Sequence, residues 1–307
     1  MTKIPHTQSQ KRFSESIGAR FLLPTEQTAQ QSLLFLKSSS DEGVIRNGGR
    51  NGARFAPQSF LSAFKKLSLT EGNRSYAFYE EEIASAHEEC ENFPLAQDQE
   101  AHRILAALKK YPHSRVCHLG GGHDHVYPLA MALSQTFKKV VIINLDAHAD
   151  TRTDDSPHSG TPFRQFAQKY PGEFYLFQVG LHPFANSEST LQKLDKGQMS
   201  ILWRSELDDE KKYGDFFKAI SAVVDEKTLV IFSIDADALD GSIVPGVSAV
   251  NANGLKRGHL VRLWQDYRKL GFHHTPVMGI YELNPVFDTP SMMSMRTLAS
   301  FVYESLE

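Results

Sequence analysis

The chain has 307 residues, 41% of them hydrophobic and 22% charged, with a formal net charge of −3. That length holds one large α/β domain or two smaller ones, and the apolar fraction supports a full core, which excludes bulk disorder. The mild acidic balance gives no reason to expect nucleic acid or an anionic membrane as a partner, and no apolar run approaches membrane-spanning length.

Met1 to Arg20 is polar and lacks the apolar core of a secretory signal. With only two cysteines, Cys90 and Cys117, the expected setting is a reducing cytoplasm without a disulfide framework. Cys117 sits in an apolar run and reads as a buried, inert thiol. The pattern predicts a helix over Thr25–Lys37, and the polar, Gly-rich stretch from Ser38 to Gly52 reads as an ordered loop. Helices over Pro57–Leu67 and Asp98–Lys110 come next, then a strand over Arg115–Leu119 and a helix over His125–Phe137. Strand Val140–Leu145, helix Pro162–Lys169 and strands Phe174–Val179 and Met199–Trp203 continue the series. Helix Asp208–Val224, strand Thr228–Ile234, helix Arg257–Leu270, strand Pro276–Tyr281 and helix Ser291–Tyr303 complete it. A continuous apolar run such as Val140-Val141-Ile142-Ile143 is buried on both faces, the mark of a parallel strand between helical layers. The fold class is therefore α/β, a three-layer αβα sandwich around a mostly parallel central sheet.

The chemistry-bearing residues fall at the ends of the expected strands. His123 follows the first strand and the glycines Gly120, Gly121 and Gly122; glycines there allow close backbone approach to a site. Asp146-Ala147-His148-Ala149-Asp150 closes the second, and its three polar side chains at alternate positions point one way from an extended segment. Asp235-Ala236-Asp237 closes the Thr228–Ile234 strand, and Glu282 follows Tyr281. In an open parallel sheet all carboxyl ends lie on one edge, where ligand sites form. Six ligands, four of them carboxylates, are too anionic and too many for one tetrahedral zinc; they suit two harder divalent ions. Capping is the competing reading for each Asp pair alone. His118 reads as core, or as support behind the ligands; His125 as support or surface; His273 and His274 as loop residues. His102 and His113 have no partners at useful spacing.

These motifs resemble the ureohydrolase family of arginase, agmatinase and formimidoylglutamase, whose metal motifs G-G-x-H, D-A-H-x-D and S-x-D-x-D appear here at Gly121–His123, Asp146–Asp150 and Ser233–Asp237, in the family's order. The resemblance covers the chain from about Gly43 onward and implies an arginase-like sandwich, with residues 1–40 an N-terminal extension packed on a catalytic domain of residues 41–307. It also implies two Mn²⁺ per chain, His123 and Asp150 on one ion, His148 and Asp237 on the other, and Asp146 and Asp235 bridging both. A hydroxide between the ions would be the nucleophile, aimed by Asp150, while Glu282 would pair with a planar amidinium or guanidinium. Homo-oligomers are common in such a family.

Three features resemble the formimidoylglutamase subgroup: the loop Arg46–Ala53, the run Ser159-Gly160-Thr161-Pro162-Phe163, and Ala185-Asn186-Ser187 where arginases carry acidic residues. Ser159 stands where arginases place a proton-shuttle histidine. A formimidoylglutamate pocket needs donors for two carboxylates, and Asn186, Arg152 and Arg164 are the candidates. Two positions depart from the family pattern: Gly241, where proline is usual, and His182. Agmatine, arginine or another guanidino acid remains an alternative substrate, and a mononuclear zinc deacetylase of related fold or a non-catalytic metal-dependent binding protein an alternative class.

Overall fold

The structure is a computed structural model describing residues 14–21, 31–73, 75–85, 92–192, 194 and 197–306. Eight strands form one sheet: β1 Gln31–Ser39, β2 Tyr76–Ser85, β3 Arg115–Gly120, β4 Lys139–Leu145, β5 Glu173–Val179, β6 Gly197–Leu202, β7 Thr228–Asp235 and β8 Val277–Tyr281. Their order is β2-β1-β3-β8-β7-β4-β5-β6, and every pairing is parallel. The α-helices among the described residues are α1 Glu42–Arg46, α2 Ala56–Phe64, α3 Phe93–Lys110, α4 Val126–Leu133, α5 Pro162–Lys169, α6 Glu210–Val223, α7 Arg257–Tyr267 and α8 Met293–Glu304.

Alternate residues of each central strand enter different cores, which is why the strands read as unbroken apolar runs. Val141 and Ile143 of β4 pack on one face with α2, α6, α7 and α8; Val140 and Ile142 pack on the other with α3, α4 and α5. β7 does the same, with Val230, Phe232 and Ile234 on the first face and Leu229 and Ile231 on the second. Each such side chain contributes about 1.5–3 kcal/mol by leaving water. Helix starts follow local chemistry. Asn92 Oδ1 accepts from Leu95 N ahead of α3, and Asp209 accepts from Lys211 N and Lys212 N ahead of α6.

The expected strands and the later helices occur where the sequence placed them, with ends shifted by a few residues. The N-terminal third differs. Gln31–Lys37, expected as helix, lies in strand β1, hydrogen-bonded to β2 on one side and β3 on the other. The reason is two-sided burial: Leu33 and Phe35 enter one core while Leu34 and Leu36 enter the other. A helix would not separate these neighbours so cleanly. Residues 25–30 of that expected helix lie outside the described residues, as does Cys90. Part of the segment read as an N-terminal extension thus supplies a strand of the sheet. β2 and α1 were not foreseen. β2 is an edge strand whose Glu80, Glu81 and Glu82 are paired with Lys65 and Lys37, Lys110, and Lys37 respectively, a charged edge of the kind that blocks further strand addition. Cys117 is buried in the core, and burial pushes its thiol up, as an inert role requires.

β3, β8, β7 and β4 are neighbours, and register aligns their ends: Leu145 lies beside Ile234, Ile234 beside Ile280, and Ile280 beside Leu119. The residues that follow these four strands are therefore brought to one place. Among the described residues no helix is long and apolar enough to cross a membrane.

The strand assignment of β1 is open to a direct check. Leu33→Ala and Leu34→Ala should each cost about 2–5 kcal/mol in equilibrium denaturation, because each leaves a cavity in a different core. A large loss at one and none at the other would mean that one face of β1 is uncovered.

Candidate metal centre

His123 opens a short 3-10 turn after β3, and its Nδ1 lies 3.1 Å from Asp146 Oδ2, 2.9 Å from Asp150 Oδ2 and 3.2 Å from Asp235 Oδ2. These four residues form one set of donor atoms, all within 4.8 Å of one another; Asp146, His148 and Asp237 form a second. His148 Nδ1 is 3.3 Å from Asp237 Oδ2 and 3.6 Å from Asp146 Oδ1. Asp146 is common to both sets, one oxygen toward each. Asp235 joins the first set through Oδ2, while its Oδ1 accepts the Asp237 amide at 2.9 Å.

The donor set fits a divalent cation. An octahedral ion with ligands at about 2.1 Å places neighbouring ligands about 3.0 Å apart, the spacing seen around His123 Nδ1. That nitrogen is buried with no well-formed hydrogen bond, as is Asp237 Oδ1. His123 Nε2 lies 2.9 Å from Ser233 Oγ, a contact that orients the ring with its Nδ1 edge turned to the carboxylates. Titration tells the same story. Burial and the neighbouring Asp146 push Asp150 up to about 6. Burial, then Asp237 and Asp146, push Asp235 well above its ordinary value. Burial would raise Asp146 too, but hydrogen bonds from His123 and His148 hold it at about 2. His123 itself is raised, the three carboxylates outweighing burial. The chain alone favours a proton at the point that a cation would occupy.

The backbone is shaped to this geometry. Asp150 (φ 51°) and Glu282 (φ 62°) are non-glycine residues in the left-handed region, a strain typical of functional sites. Glu282 Oε1 accepts from the His123 amide at 3.0 Å, and the Glu282 amide donates to Gly121 O at 2.8 Å, which ties the end of β8 to the end of β3. A Cβ on Gly121 would sit 1.7 Å from Ser40 O, so only glycine fits. Burial, reinforced by Asp237 and Asp150, pushes Glu282 up to about 8.

The other candidates divide. Asn186 is committed to backbone: Oδ1 accepts from Ala149 N at 2.7 Å, and Nδ2 donates to Ala147 O and His182 O at 2.9 Å. It holds the loop that carries His148 and Asp150. Arg152 is half-exposed, donating to Asn47 Oδ1 at 2.6 Å and pairing with Asp154 at 2.8 Å; Asn47 Nδ2 donates to Ser159 Oγ at 3.1 Å. Arg152 and Ser159 are thus joined through the Arg46–Ala53 loop. Arg164 is buried and lines a separate cavity that none of the metal-centre residues lines.

Some supporting residues escaped the sequence reading. Asn144 Nδ2 donates to Gln178 Oε1 at 2.8 Å and lies 3.3 Å from Asp146 Oδ2, and Gln178 Nε2 donates to Ala149 O at 2.6 Å. Their signal was present: each is a polar residue inside an apolar parallel strand. His118 and His125, left open, both lie behind the site. His125 Nδ1 is 2.8 Å from Glu100 Oε2, His118 Nε2 is 2.8 Å from Ser38 Oγ, and His118 Nδ1 is 3.1 Å from Tyr281 Oη. The Tyr281 ring in turn stacks on His123 at 5.1 Å.

With this geometry in view, comparison with known proteins gives a consistent answer. The profile of the arginase family matches residues 40–307. The formimidoylglutamase of Rhodococcus opacus (strain B4) is 31% identical over 278 residues, which cover 88% of this chain and 83% of that protein. The formimidoylglutamase of Staphylococcus carnosus (strain TM300) is 28% identical, covering 92% and 88%. Among solved structures, formimidoylglutamase from Bacillus subtilis superposes with a TM-score of 0.78 at 22% identity, covering 92% of this chain and 88% of that one. Trypanosoma cruzi formiminoglutamase with Mn²⁺ superposes at 0.73 and 24%, covering 94% and 96%. The chain belongs to the arginase family.

The departure at position 241 gives a test of the scaffold. Gly241 N donates to Asn251 O at 2.7 Å, and Asn251 Nδ2 donates to Asp237 O at 3.1 Å. Gly241→Pro removes the first bond and brings carbon against Val250, whose Cγ1 lies 2.5 Å from a Cβ at this position. It should lower stability by about 1–3 kcal/mol and weaken cation retention at the His148/Asp237 set, measured by denaturation and by metal analysis after dialysis.

Proposed function

We propose that this chain is a binuclear manganese hydrolase that converts N-formimidoyl-L-glutamate and water to L-glutamate and formamide. The observation that carries the reading is the pair of donor sets sharing Asp146 on one sheet edge, beside Glu282. The relatives named formimidoylglutamase in Rhodococcus opacus and Staphylococcus carnosus support this substrate over a guanidino compound.

His123, Asp146, Asp150 and Asp235 would hold one ion, and Asp146, His148 and Asp237 the second; the family motif implies that Asp235 also bridges to the second ion. Bound there, two divalent cations would acidify water and stabilise the negative charge that develops on the attacked carbon's substituents. Asp150 would accept a hydrogen bond from the attacking water and take its proton. Glu282 has Oε1 held by the His123 amide, leaving Oε2 to accept from the formamidinium; that cation would restore the carboxylate that burial opposes. Arg152 and Ser159, linked through Asn47, would meet the glutamate carboxylates at the rim. Asn186 acts through the loop it holds rather than by contact. A cytoplasmic setting belongs to the same proposal.

Elemental analysis of reconstituted protein should give two manganese ions per chain. Asp146→Ala should impair both sites and His123→Ala mainly one; chelation should lower Tm and added manganese should restore it. One tightly held zinc, insensitive to Asp237→Ala, would rule out the arrangement. Asp150→Asn should lower kcat by about 10²-fold or more with manganese retained. Product identity decides the substrate. A panel of formimidoylglutamate, arginine, agmatine and guanidinobutyrate should yield glutamate and formamide from the first alone. Urea from arginine or agmatine, with formimidoylglutamate untouched, would overturn the assignment.

A further inference from the structure

On the face of the sheet that carries α3, α4 and α5 lies a cavity of about 770 Å³, bounded also by the loop that follows Asp150. None of His123, Asp146, His148, Asp150, Asp235, Asp237 or Glu282 lines it, and of the residues proposed to meet substrate only Arg152, at the rim, does. Three of its lining side chains present buried polar atoms without hydrogen-bond partners: Arg164 Nη2, Gln97 Nε2 and Gln165 Oε1. Arg164 is 7% exposed and Gln97 1%. The two glutamines hold each other, Gln165 Nε2 donating to Gln97 Oε1 at 2.8 Å. Whichever way both amides are turned, one amide donor and one amide acceptor are left over.

A guanidinium edge buried without an acceptor is costly, and so is an unpaired amide. Asp98, Asp154 and Asp155 also line the cavity, but Asp154 is paired with Arg152 and His158, and no acidic side chain among the described residues forms an ion pair with Arg164. The acceptor that best suits a guanidinium is a carboxylate, whose second oxygen could take the spare amide donor. The spare amide oxygen then calls for an N–H close to that carboxylate.

We propose that this cavity is a second ligand site, which takes a small carboxylate with a neighbouring N–H group and acts on the loop that carries Asp150. The mechanical link is short. Arg164 Nε donates to Thr151 O at 2.7 Å, the carbonyl directly after Asp150, and Phe163 N donates to Asp150 O at 3.4 Å. The Phe163 ring meets the His123 ring edge-on at 5.4 Å. A ligand that fixes the Arg164 guanidinium therefore fixes the peptide that holds Asp150 in its left-handed conformation. Its effect falls on turnover at saturating substrate, without competition.

The test is a calorimetric titration of the manganese-reconstituted full chain with N-acetylglycine, which has a carboxylate and an adjacent amide N–H but no amidine. Inorganic phosphate is the comparison anion. We expect saturable binding of one N-acetylglycine per chain and weaker binding of phosphate. Gln97→Leu removes the spare amide, and Gln97→Glu fills the site with the chain's own carboxylate. Each should weaken binding about tenfold or more; Gln97→Leu should leave turnover in the absence of probe intact, while Gln97→Glu should reproduce the probe's shift in kcat without any probe. Arg164→Gln should also abolish binding, but it removes the Nε bond to Thr151 O as well, so the Gln97 pair carries the test. In turnover assays the probe should shift kcat and not apparent KM. The site is overturned by the absence of binding, by unchanged affinity in both Gln97 variants, or by displacement of the probe by substrate, which would place it at the metal edge. Phosphate binding as tightly as N-acetylglycine would overturn the ligand class. The calorimetric readout needs no turnover, so it stands apart from the fate of the substrate assignment.

Discussion

One imidazole nitrogen, His123 Nδ1, faces carboxylate oxygens of Asp146, Asp150 and Asp235 at 2.9 to 3.2 Å in a buried pocket, and Asp237 lies in the adjoining set. So much negative charge at such spacing is unfavourable in a low-dielectric interior, where two unit charges interact far more strongly than in water. The chain relieves part of the conflict by splitting the titrations, with Asp146 held at about 2 and Asp150 pushed up to about 6. Cations bound between the donors would relieve the rest. The arrangement therefore has to be imposed by the fold, because the side chains would not choose it, and much of the architecture around them can be understood as that imposition.

The imposing parts form a closed shell. β3, β8, β7 and β4 lie side by side in register, so their last residues cannot drift apart without breaking the sheet. Glu282 ties β8 to the His123 turn through side chain and backbone alike. Asn144 and Gln178 hold the start of the Asp146 loop from inside the sheet, while Asn186 holds it from above. Behind His123, a fully buried Glu100 connects through His125 and through Ser38 and His118 to Tyr281, whose ring covers the imidazole. Burial opposes charge on Glu100, yet the charge and hydrogen bonds of His125 and His118 hold its carboxyl at about 2, so neighbouring histidines stabilise this second buried carboxylate.

The legibility of this design in the sequence varied with physical cause. The convergence of these Asp and His residues was plain because parallel strands put all their carboxyl ends on one edge, so phase relative to the strands carried the information. The core strands β4 and β7 were plain because two-sided burial writes unbroken apolar runs. The same feature misled at β1: Leu33-Leu34-Phe35-Leu36 is a short apolar run that periodicity cannot assign to helix or strand, and only the two cores that divide these residues decide it. β2 was hidden by Glu80, Glu81 and Glu82, which suit an edge and lower apparent strand propensity. Substrate-contact candidates were least legible, because an arginine or an asparagine carries no mark of its direction. Asn186 proved to be bound to backbone and Arg164 to face another cavity.

The two departures from the family pattern follow the same logic. Proline at position 241 would lack the N–H that Gly241 gives to Asn251 O, and it is Asn251 that holds the Asp237 carbonyl. His182 is buried, its ring stacked at 4.7 Å on Phe184, and its amide donates to Ala147 O, while Asn186 binds its carbonyl. Burial holds its pKa below the usual imidazole range. Both residues thus belong to the backbone frame of the second donor set, His148 and Asp237. That set carries the more exposed of the two candidate ligand histidines, His148 at 38% against a fully buried His123. A ligand with less packing to restrain it depends more on the loops that present it, so sequence changes in those loops have to preserve hydrogen bonds rather than residue types. Gly241 and His182 satisfy that condition, and beside them His148 Nδ1 stays 3.3 Å from Asp237 Oδ2.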